Sequence, residues 1–299
     1  MRKLRAALTG ALLVLASLAP ATPAAAAAPA GTNLQLMSWN MCDSQRASWN
    51  CAAYGTFADK LGVVKYHVDN NFVQAMLLQE ICENDLTTLM SQLGSGWSRS
   101  FAPYYYSSDG VLTNSRCGED NSSRQDRYGT AIVIHAGLSN PQIIPTTQPW
   151  NGQNTVQQCA TATYFDNIRL CNLHISRYGV NPDHPTWDYA DDQLAEVKAA
   201  VDQYEHVAFG GDLNVVPPDW PGDSSRDWVW PAGLYWNGTT GYRECDQSDA
   251  ANPLRTGRST TVWNVKFDHV FSTRPWRWCA VGDTAYSDHA VVIYSMRIA

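Results

Sequence analysis

The feature that most limits how this chain can fold is a short apolar run, His206-Val207-Ala208-Phe209, that stops at two glycines. The segment continues Gly210-Gly211-Asp212-Leu213-Asn214, and prolines close it at 217 and 218. A short apolar run bounded by turn formers is typical of a buried strand, and prolines prevent the strand from continuing. The sequence therefore predicts a buried strand that ends on Asp212 and Asn214.

The spacing of Asp212 and Asn214 has two interpretations. If the segment is extended, residues i and i+2 share a face, and the pair forms an oxygen-rich surface for a cation, a water or a phosphoryl oxygen. Alternatively, the two residues form a turn in which the side chains bond their own backbone. The segment alone leaves both interpretations open.

The same pattern recurs along the chain, because polar side chains with acid-base or ligand chemistry follow several apolar runs. Strands are predicted over 34–40, 72–80, 156–165, 168–175 and 260–271, and a last one follows Asp288-His289. The polar residues at these ends are Asn40, Glu80, His174, Asp212, Asn214, Asp268, Asp288 and His289. Each one alone has a structural explanation, but together they predict a site for a hard divalent cation and two acid-base groups.

Five other segments complete the coarse interpretation of the sequence. Helical spacing predicts helices over 56–70, 83–93 and 185–204, with Lys60 on the solvated face of the first. Residues 124–128 hold two arginines and an acid, which indicate either a phosphate-facing rim or an ordinary ion pair. The aromatic segment 220–236 suits base stacking, a lipid interface or loop packing, and packing is favoured. Strands separated by helices predict a sheet-containing α/β or α+β fold.

The first 30 residues have the basic start, short apolar core and alanine-rich end of a secretory signal peptide. Without them, 18 basic and 28 acidic residues remain, a net charge of −10. That charge argues against tight, sequence-independent binding of a polyanion, unless a local cationic patch or bound divalent ions admit one. Residues 31–299 show no linker or repeat and are expected to form a single domain.

All eight cysteines lie beyond residue 30, and an even number in an exported chain predicts disulfides. No two of them have the spacing of zinc ligands. Pairing of sequence neighbours is the simplest of 105 arrangements. Cys159 with Cys171 is the best supported pair, since both flank a hairpin-like stretch that turns at Asp166-Asn167.

The polar residues lie in motifs that resemble those of the endonuclease/exonuclease/phosphatase superfamily, which includes deoxyribonuclease I-like nucleases and bacterial sphingomyelinases. The motifs occur in family order as Ser38-Trp39-Asn40, Gln79-Glu80, Asn172-Leu173-His174, Gly211-Asp212-Leu213-Asn214, Phe267-Asp268-His269-Val270 and Ser287-Asp288-His289. The resemblance implies a four-layer α/β/β/α sandwich of two packed β-sheets flanked by helices. It also implies metal-dependent cleavage of phosphoester bonds.

The same resemblance implies a role for each residue. Glu80 is expected to bind Mg²⁺, with Mn²⁺ and Ca²⁺ as alternatives, and Asn40 and Asp288 to lie near the metal. His289, oriented by Asp268, is the expected general base. Asp212 is expected to align the attacking water, Asn214 to hold a phosphate oxygen, and His174 to act at the leaving group. The segment 125–128 is similar to the one that gives this histidine a carboxylate partner, and Asp126 is its candidate, one carbon shorter than the usual glutamate.

These expectations describe a secreted, extracellular, metal-dependent phosphodiesterase that acts as a monomer without a stable protein partner. Nucleic acid is the expected substrate, cleaved by a water that the His-Asp pair activates. The alternative is a lipid phosphodiesterase of the sphingomyelinase or phospholipase C type, for which the aromatic segment 220–236 would contact the membrane.

Overall fold

The computed structural model describes residues 32–119, 122–177, 180–181, 184–223, 225–247 and 253–298. The proposed signal peptide lies outside these residues. Within them the chain forms three α-helices, α1 (Phe57–Asn70), α2 (Glu83–Leu93) and α3 (Tyr189–Val201). No helix in the described ranges has the length and apolarity needed to cross a bilayer.

The described residues also form seventeen strands. In chain order they are β1 (Asn33–Asn40), β2 (Ala75–Cys82), β3 (Ser98–Pro103), β4 (Tyr105–Ser108), β5 (Val111–Asn114), β6 (Tyr128–Ile134), β7 (Leu138–Ile144), β8 (Gly152–Asn154), β9 (Gln157–Ala162), β10 (Ile168–His174), β11 (Val180–Asn181), β12 (His184–Asp188), β13 (Val207–Asp212), β14 (Arg243–Glu244), β15 (Asp268–Ser272), β16 (Trp276–Val281) and β17 (Val292–Arg297).

Two six-stranded sheets carry the architecture. The first has the order β16-β17-β1-β2-β6-β3 and the second the order β14-β15-β13-β10-β9-β7. The described residues also form two small separate sheets, β5-β4-β8 and β11-β12. Because side chains alternate along a strand, β1 sends Leu36 into the core between the sheets and Met37 toward the helices.

Three apolar cores separate four layers. One core lies between the first sheet and helices α1 and α2, with Trp39, Val64 and Leu86 among its members. A second fills the space between the two sheets, and a third joins the second sheet to α3 through residues such as Phe209 and Leu194. The four-layer α/β/β/α sandwich expected from the sequence is therefore confirmed.

Several element boundaries differ from the sequence-based predictions. The strand predicted over 260–271 begins only at Asp268, and the one predicted over 156–165 covers Gln157–Ala162. Two other differences have a clear local reason. The strand expected from 72 starts only at Ala75, because Phe72 adopts a left-handed conformation at the end of the preceding turn (φ 55°). The helix expected from 185 starts at Tyr189, because the Asp188 carboxylate caps it by accepting a hydrogen bond from the Ala190 N–H (3.1 Å).

Four disulfides link sequence neighbours: Cys42 with Cys51, Cys82 with Cys117, Cys159 with Cys171, and Cys245 with Cys279. The best supported pair, Cys159 with Cys171, joins residues directly opposite each other in the antiparallel pair of β9 and β10. The hairpin turns at Asp166-Asn167, both left-handed (φ 53° and 51°). The disulfide prediction is therefore confirmed.

Candidate active site

Strand register brings the predicted polar residues to one end of both sheets. In the first sheet, β1 and β2 run parallel, so Asn40 and Glu80 leave the sheet together. In the second, His174 of β10 and Asp212 of β13 are register partners, and Asp268 of β15 stands opposite Asp212. Carboxyl ends of neighbouring parallel strands meet at the same edge, which explains why residues far apart in sequence converge at this end.

The residues line a pocket of about 610 Å³. Among the predicted residues, those on its wall are Glu80, His174, Asp212, Asn214, Asp288 and His289. Asp268 lies behind His289 and is fully buried. Seven predicted residues thus form or support one cavity, and Asn40 lies beside it in contact with Glu80 and Asp212.

Glu80 owes its position to an irregularity in β2. The pairing of β2 with β6 shifts between Leu78 and Ile81, and Glu80 in that bulge has a φ of 56°. A bulge redirects a side chain away from the regular alternation of the strand. Left-handed backbone is costly for a residue other than glycine and is often found at functional sites.

The carboxylates of Glu80 and Asp212 are held close together by one amide. Asn40 Nδ2 donates to Glu80 Oε1 (3.1 Å) and to Asp212 Oδ2 (3.0 Å). The Cys42 backbone N–H donates to Asn40 Oδ1 (3.0 Å), which fixes the orientation of the amide. Asn40 therefore turns its N–H groups toward the acids, whereas a metal ligand would offer its oxygen.

Asp288 contributes a third carboxylate. Burial raises its pKa, and the negative charges of Glu80 and Asp212 raise it further. The Ser287 hydroxyl donates to the Asn40 backbone carbonyl (2.8 Å), which joins the loop of Asp288 to the end of β1. Three carboxylates at close quarters repel one another, so the cluster is suited to a bound cation.

His289 and Asp268 form a buried pair. His289 Nδ1 lies 2.8 Å from Asp268 Oδ2, and His289 Nε2 lies 3.5 Å from Asp212 Oδ2. The Thr260 hydroxyl oxygen accepts a hydrogen bond from the backbone N–H of Asp268 (3.0 Å). This bond fixes the backbone that carries the carboxylate. Burial disfavours the charged ring, but Asp268, Asp212 and Asp288 raise the pKa of His289 to about 10.

His174 has a tyrosine as its ring partner. The Tyr104 hydroxyl lies 2.7 Å from His174 Nδ1 and is fully buried. His174 Nε2 faces the acids, 3.9 Å from Glu80 Oε1 and 3.7 Å from Asp212 Oδ2. Tyr128 lies next to Tyr104 and donates its hydroxyl to Glu80 Oε2.

The structure does not bring Asp126 to His174, contrary to the sequence-based expectation. Arg124 Nε donates to Asp126 Oδ1 (3.0 Å), and the Asn84 backbone N–H donates to its other oxygen (3.1 Å). Arg127 forms an ion pair with Glu83. The basic segment 124–128 thus forms ordinary ion pairs, because acids at the start of α2 lie within reach of its arginines.

Asp212 and Asn214 adopt the turn interpretation of their spacing, although both residues also line the pocket. Asp212 Oδ1 accepts the backbone N–H of Asn214 (2.9 Å), which is the local turn, and its Oδ2 faces the site. Asn214 is left-handed (φ 52°) rather than extended, and its Nδ2 donates to the Ile175 carbonyl (3.0 Å). One carboxylate therefore both closes the turn and serves the pocket.

Sequence reasoning missed several residues of the site. Tyr104 and Tyr128 hold His174 and Glu80, and the exposed Arg177 is the one arginine among the described residues of the pocket wall. Trp263 lies at the rim, with its ring centroid 6.1 Å from that of His289. The only signal for Arg177 is its position three residues after His174.

Lys60 departs from the prediction of a solvated face. Its side chain is buried, and Nζ donates to the carbonyls of Met41 (2.9 Å), Cys42 (3.0 Å) and Tyr286 (2.8 Å). Burial lowers the pKa of Lys60. The ammonium ties the loop after β1 to the loop that carries Asp288.

The aromatic segment 220–236 lies apart from the pocket wall. Trp230 and Tyr235 are buried in the core beside α3, and the indole N–H of Trp230 donates to the Val216 carbonyl (2.8 Å). Among the aromatic residues of this segment that the structure describes, Trp228 is the exposed one. Loop packing, the favoured interpretation, accounts for the two buried rings.

Solved structures with a similar fold cover most of the chain. An endonuclease/exonuclease/phosphatase from Beutenbergia cavernae DSM 12333 is 15% identical, with a TM-score of 0.60 over 89% of this chain and 72% of that one. The human Nocturnin catalytic domain with bound sulfate anion is 15% identical, with a TM-score of 0.55 over 88% and 92%. D. rerio TDP2 complexed with single strand DNA product is 17% identical, with a TM-score of 0.50 over 88% and 98%. These likenesses show the fold.

Sequence comparison gives the family. No curated protein sequence matches the chain. A family model described as the Endonuclease/Exonuclease/phosphatase family matches residues 47–289, which include every predicted site residue except Asn40. Because this match spans most of the sequence, the chain belongs to the endonuclease/exonuclease/phosphatase family.

Proposed function

We propose that the protein is an exported, divalent-metal-dependent phosphodiesterase that hydrolyses nucleic acid. The observation that carries the proposal is the buried His289–Asp268 pair facing the carboxylate of Asp212, within a pocket that also holds Glu80 and Asp288. The relatives support the substrate class, since the TDP2 structure is described as a complex with a single strand DNA product.

The donor set fits a hard divalent cation such as Mg²⁺, with Mn²⁺ and Ca²⁺ as alternatives. Glu80 and Asp288 offer carboxylate oxygens, the ligands that such cations prefer. The raised pKa of Asp288, caused by burial and by the neighbouring charge of Glu80, is the electrostatic cost that a cation would relieve. A bound cation would neutralise both these acids and the phosphodiester. In this proposal Asn40 holds the Glu80 carboxylate in place, a role supported by the hydrogen bond from its Nδ2 to Glu80 Oε1.

The chain's own residues then supply the acid-base chemistry. Asp212 would orient a water beside His289, while Asp268 fixes the ring through Nδ1. The charges of Asp268, Asp212 and Asp288 raise the pKa of His289 to about 10. A cation bound beside these carboxylates would offset their charge and lower that pKa, so that Nε2 could accept the proton of the water. His174 would donate a hydrogen bond on the leaving-group side. Asn214 and Arg177 would hold non-bridging phosphate oxygens, since arginine is suited to bidentate phosphate contacts.

Export and a single catalytic domain over residues 31–299 are part of the same proposal. Four disulfides are typical of proteins that fold in an oxidising compartment. The N-terminal 30 residues have the sequence pattern of a signal peptide. The lipid alternative is less favoured in this proposal, because Trp230 and Tyr235 of the segment 220–236 are buried and only Trp228 of its aromatic residues is exposed.

The experiment is to incubate the purified mature protein with Mg²⁺ and plasmid DNA, RNA or sphingomyelin vesicles in parallel. We expect cleavage of a nucleic acid, its loss on chelation, and a loss of at least about 100-fold in turnover for His289→Ala. Glu80→Gln should raise the Mg²⁺ concentration needed for half-maximal rate. Cleavage of sphingomyelin alone, or full activity of His289→Ala, would contradict the proposal.

A further inference from the structure

A second cavity has a volume of about 680 Å³. It lies near the pocket of about 610 Å³ described above, which we call the catalytic pocket. The residues that matter on the wall of the second cavity are Arg46, Trp49, Tyr106, Thr113, Arg116 and Gln125. We call it the arginine pocket. None of its described wall residues is an acid, in contrast to the carboxylate-rich catalytic pocket.

The two arginines form an unneutralised cationic pair. Arg46 Nε donates to the backbone carbonyl of Arg116 (3.2 Å), so the two residues lie side by side. Neither forms an ion pair with a carboxylate in the described ranges, whereas the neighbouring Arg124 pairs with Asp85 and Asp126. Glu119, an acid of the same loop, accepts the backbone N–H of Ala47 (2.9 Å). Because no carboxylate of the described residues neutralises Arg46 and Arg116, their positive charge is suited to an anionic ligand.

Two disulfides make this pocket rigid. Arg46 and Trp49 lie inside the loop that the Cys42–Cys51 disulfide closes, and Arg116 precedes Cys117, which is bonded to Cys82. The loops are joined to each other, because the Gln45 N–H donates to the Cys117 carbonyl (2.8 Å). Because the backbone that carries both arginines is restrained, less entropy is lost when the pocket binds a ligand.

Two routes connect the arginine pocket to the catalytic pocket. Trp49 packs on Tyr128, with ring centroids 5.0 Å apart, and the Tyr128 hydroxyl donates to Glu80. In the sheet β5-β4-β8, Tyr106 stands between Thr113 and Gln153. Directly opposite residues of antiparallel strands share a face, so one surface runs from Thr113 across Tyr106 to Gln153, which lines the catalytic pocket.

We propose that the arginine pocket binds a backbone phosphate of a polynucleotide, on the Glu80 side of the bond that is cleaved. The inference rests on the proposed nuclease function and makes it more specific, since it requires a substrate longer than one diester. Arg46 and Arg116 hold the phosphate by paired N–H groups, and Tyr106, 53% exposed, offers a ring on which a base stacks. Contacts of this kind position a chain without reading its sequence.

The test compares Arg46→Ala/Arg116→Ala with Arg277→Ala, which removes an exposed arginine from β16 at the opposite edge of the first sheet. Binding of a fluorescent single-stranded 20-mer is measured in EDTA at several salt concentrations. We expect the double variant to raise Kd about tenfold and to reduce the salt slope by roughly 0.7, the value for one phosphate that is no longer neutralised. Arg277→Ala should behave as the wild type.

Kinetics supply a second readout. We expect the double variant to lose about tenfold more kcat/KM on the 20-mer than on bis(p-nitrophenyl) phosphate, which is too small to span both pockets. A third variant, Arg46→Lys/Arg116→Lys, should restore the salt slope and so exclude misfolding as the cause. Equal losses on both substrates, or wild-type binding by the double variant, would overturn the inference. If the wild type cleaves no nucleic acid, the proposed function fails, while the binding measurement in EDTA still decides whether the pocket holds a polynucleotide.

Discussion

At the scale of single residues, the hydroxyl of Tyr104 determines how His174 faces the pocket. Burial and the charge of Glu80 raise the pKa of Tyr104 well above its ordinary value, so the phenol keeps its proton. The Glu80 backbone N–H donates to the phenol oxygen (3.4 Å), which leaves the phenol hydrogen for His174 Nδ1. The remaining ring hydrogen is then on Nε2, which faces Glu80 and Asp212. His174 is thereby set as a hydrogen-bond donor.

Tyr104→Phe should therefore lower kcat about tenfold with little change in KM, because the ring loses its orienting bond while the packing remains. Tyr66→Phe, an exposed tyrosine of α1, is the matched control and should have no effect. Since we assign Tyr104 a positioning role through His174, adding Tyr104→Phe to His174→Ala should cost almost nothing. Additive losses in this double-mutant cycle would contradict that role.

Most residues of the candidate site could be predicted from the sequence, because each lies at one end of a recognisable apolar run. Tyr104 could not, since it is the first of three consecutive tyrosines and only the tertiary structure decides which ring turns inward. Asp126 has the chain position expected of a histidine partner, but Arg124 attracts its carboxylate. The helical spacing places Lys60 on a face suited to solvent. Its side chain is buried because the loop at Tyr286, distant in sequence, packs over it.

At the scale of elements, Lys60 makes α1 a clamp for two loops of the active site. Lys60→Met keeps the length and apolar stem of the side chain but leaves three buried carbonyls without their donor. We expect a loss of about 3 kcal/mol in the free energy of unfolding and a weaker affinity for the activating metal. Lys65→Met on the exposed face of the same helix should change neither. Denaturant unfolding and a Mg²⁺ titration of the rate provide the measurements. Wild-type stability and metal affinity in Lys60→Met would show that the two loops do not depend on Lys60.

Strands β14 and β15 enclose a cluster of buried charge, in which Glu244 Oε1 lies 3.0 Å from Lys266 Nζ and 3.7 Å from His269 Nδ1. Tyr235 is the other titratable group that faces His269 (3.2 Å). Burial lowers the pKa of His269, and the charge of Lys266 acts in the same direction although Glu244 opposes it. The ring is therefore neutral in the folded protein at pH 7.

The sign of the pH effect follows from that shift. Below about pH 6.5 the unfolded chain binds a proton at His269 that the folded chain does not, so stability falls as the pH falls. We expect the melting temperature of the wild type to decrease from pH 7 to pH 5, and His269→Gln to show a shallower decrease over the same interval. His135→Gln, at an exposed histidine, is the control. A slope that His269→Gln leaves unchanged would assign the acid sensitivity to other groups.

At the scale of the whole molecule, the four layers were predicted from the family resemblance that the ordered motifs carry. The apolar runs alone predicted only a fold in which helices pack on a sheet. For residues 94–118 the sequence predicts only strand fragments and loop. The pairing of two of these strands with β8 in a small sheet was not predicted, since the segment lacks a clear hydrophobic period. This irregular part of the chain supplies Tyr104 and one wall of the arginine pocket. The regular layers thus position the catalytic residues, and the irregular segment shapes the surface around them.

Two disulfides of nearly equal loop length allow stability and catalysis to be separated. Cys82 with Cys117 spans 35 residues and Cys245 with Cys279 spans 34, so in the chain-entropy account each contributes about 4 kcal/mol. Cys82 lies two residues from Glu80, whereas Cys245 and Cys279 connect the outer edges of the two sheets.

We therefore expect Cys82→Ala/Cys117→Ala and Cys245→Ala/Cys279→Ala to lower the melting temperature by similar amounts. Activity at a temperature well below both transitions should differ, because only the first variant loosens the bulge that aims Glu80 and the wall that carries Arg116. Its kcat/KM on a polynucleotide should fall about tenfold and its requirement for Mg²⁺ should rise, while the second variant stays near the wild type. Calorimetry and steady-state rates on the same preparations test this. Equal activities in the two variants would show that the sheets alone hold the catalytic carboxylate in place.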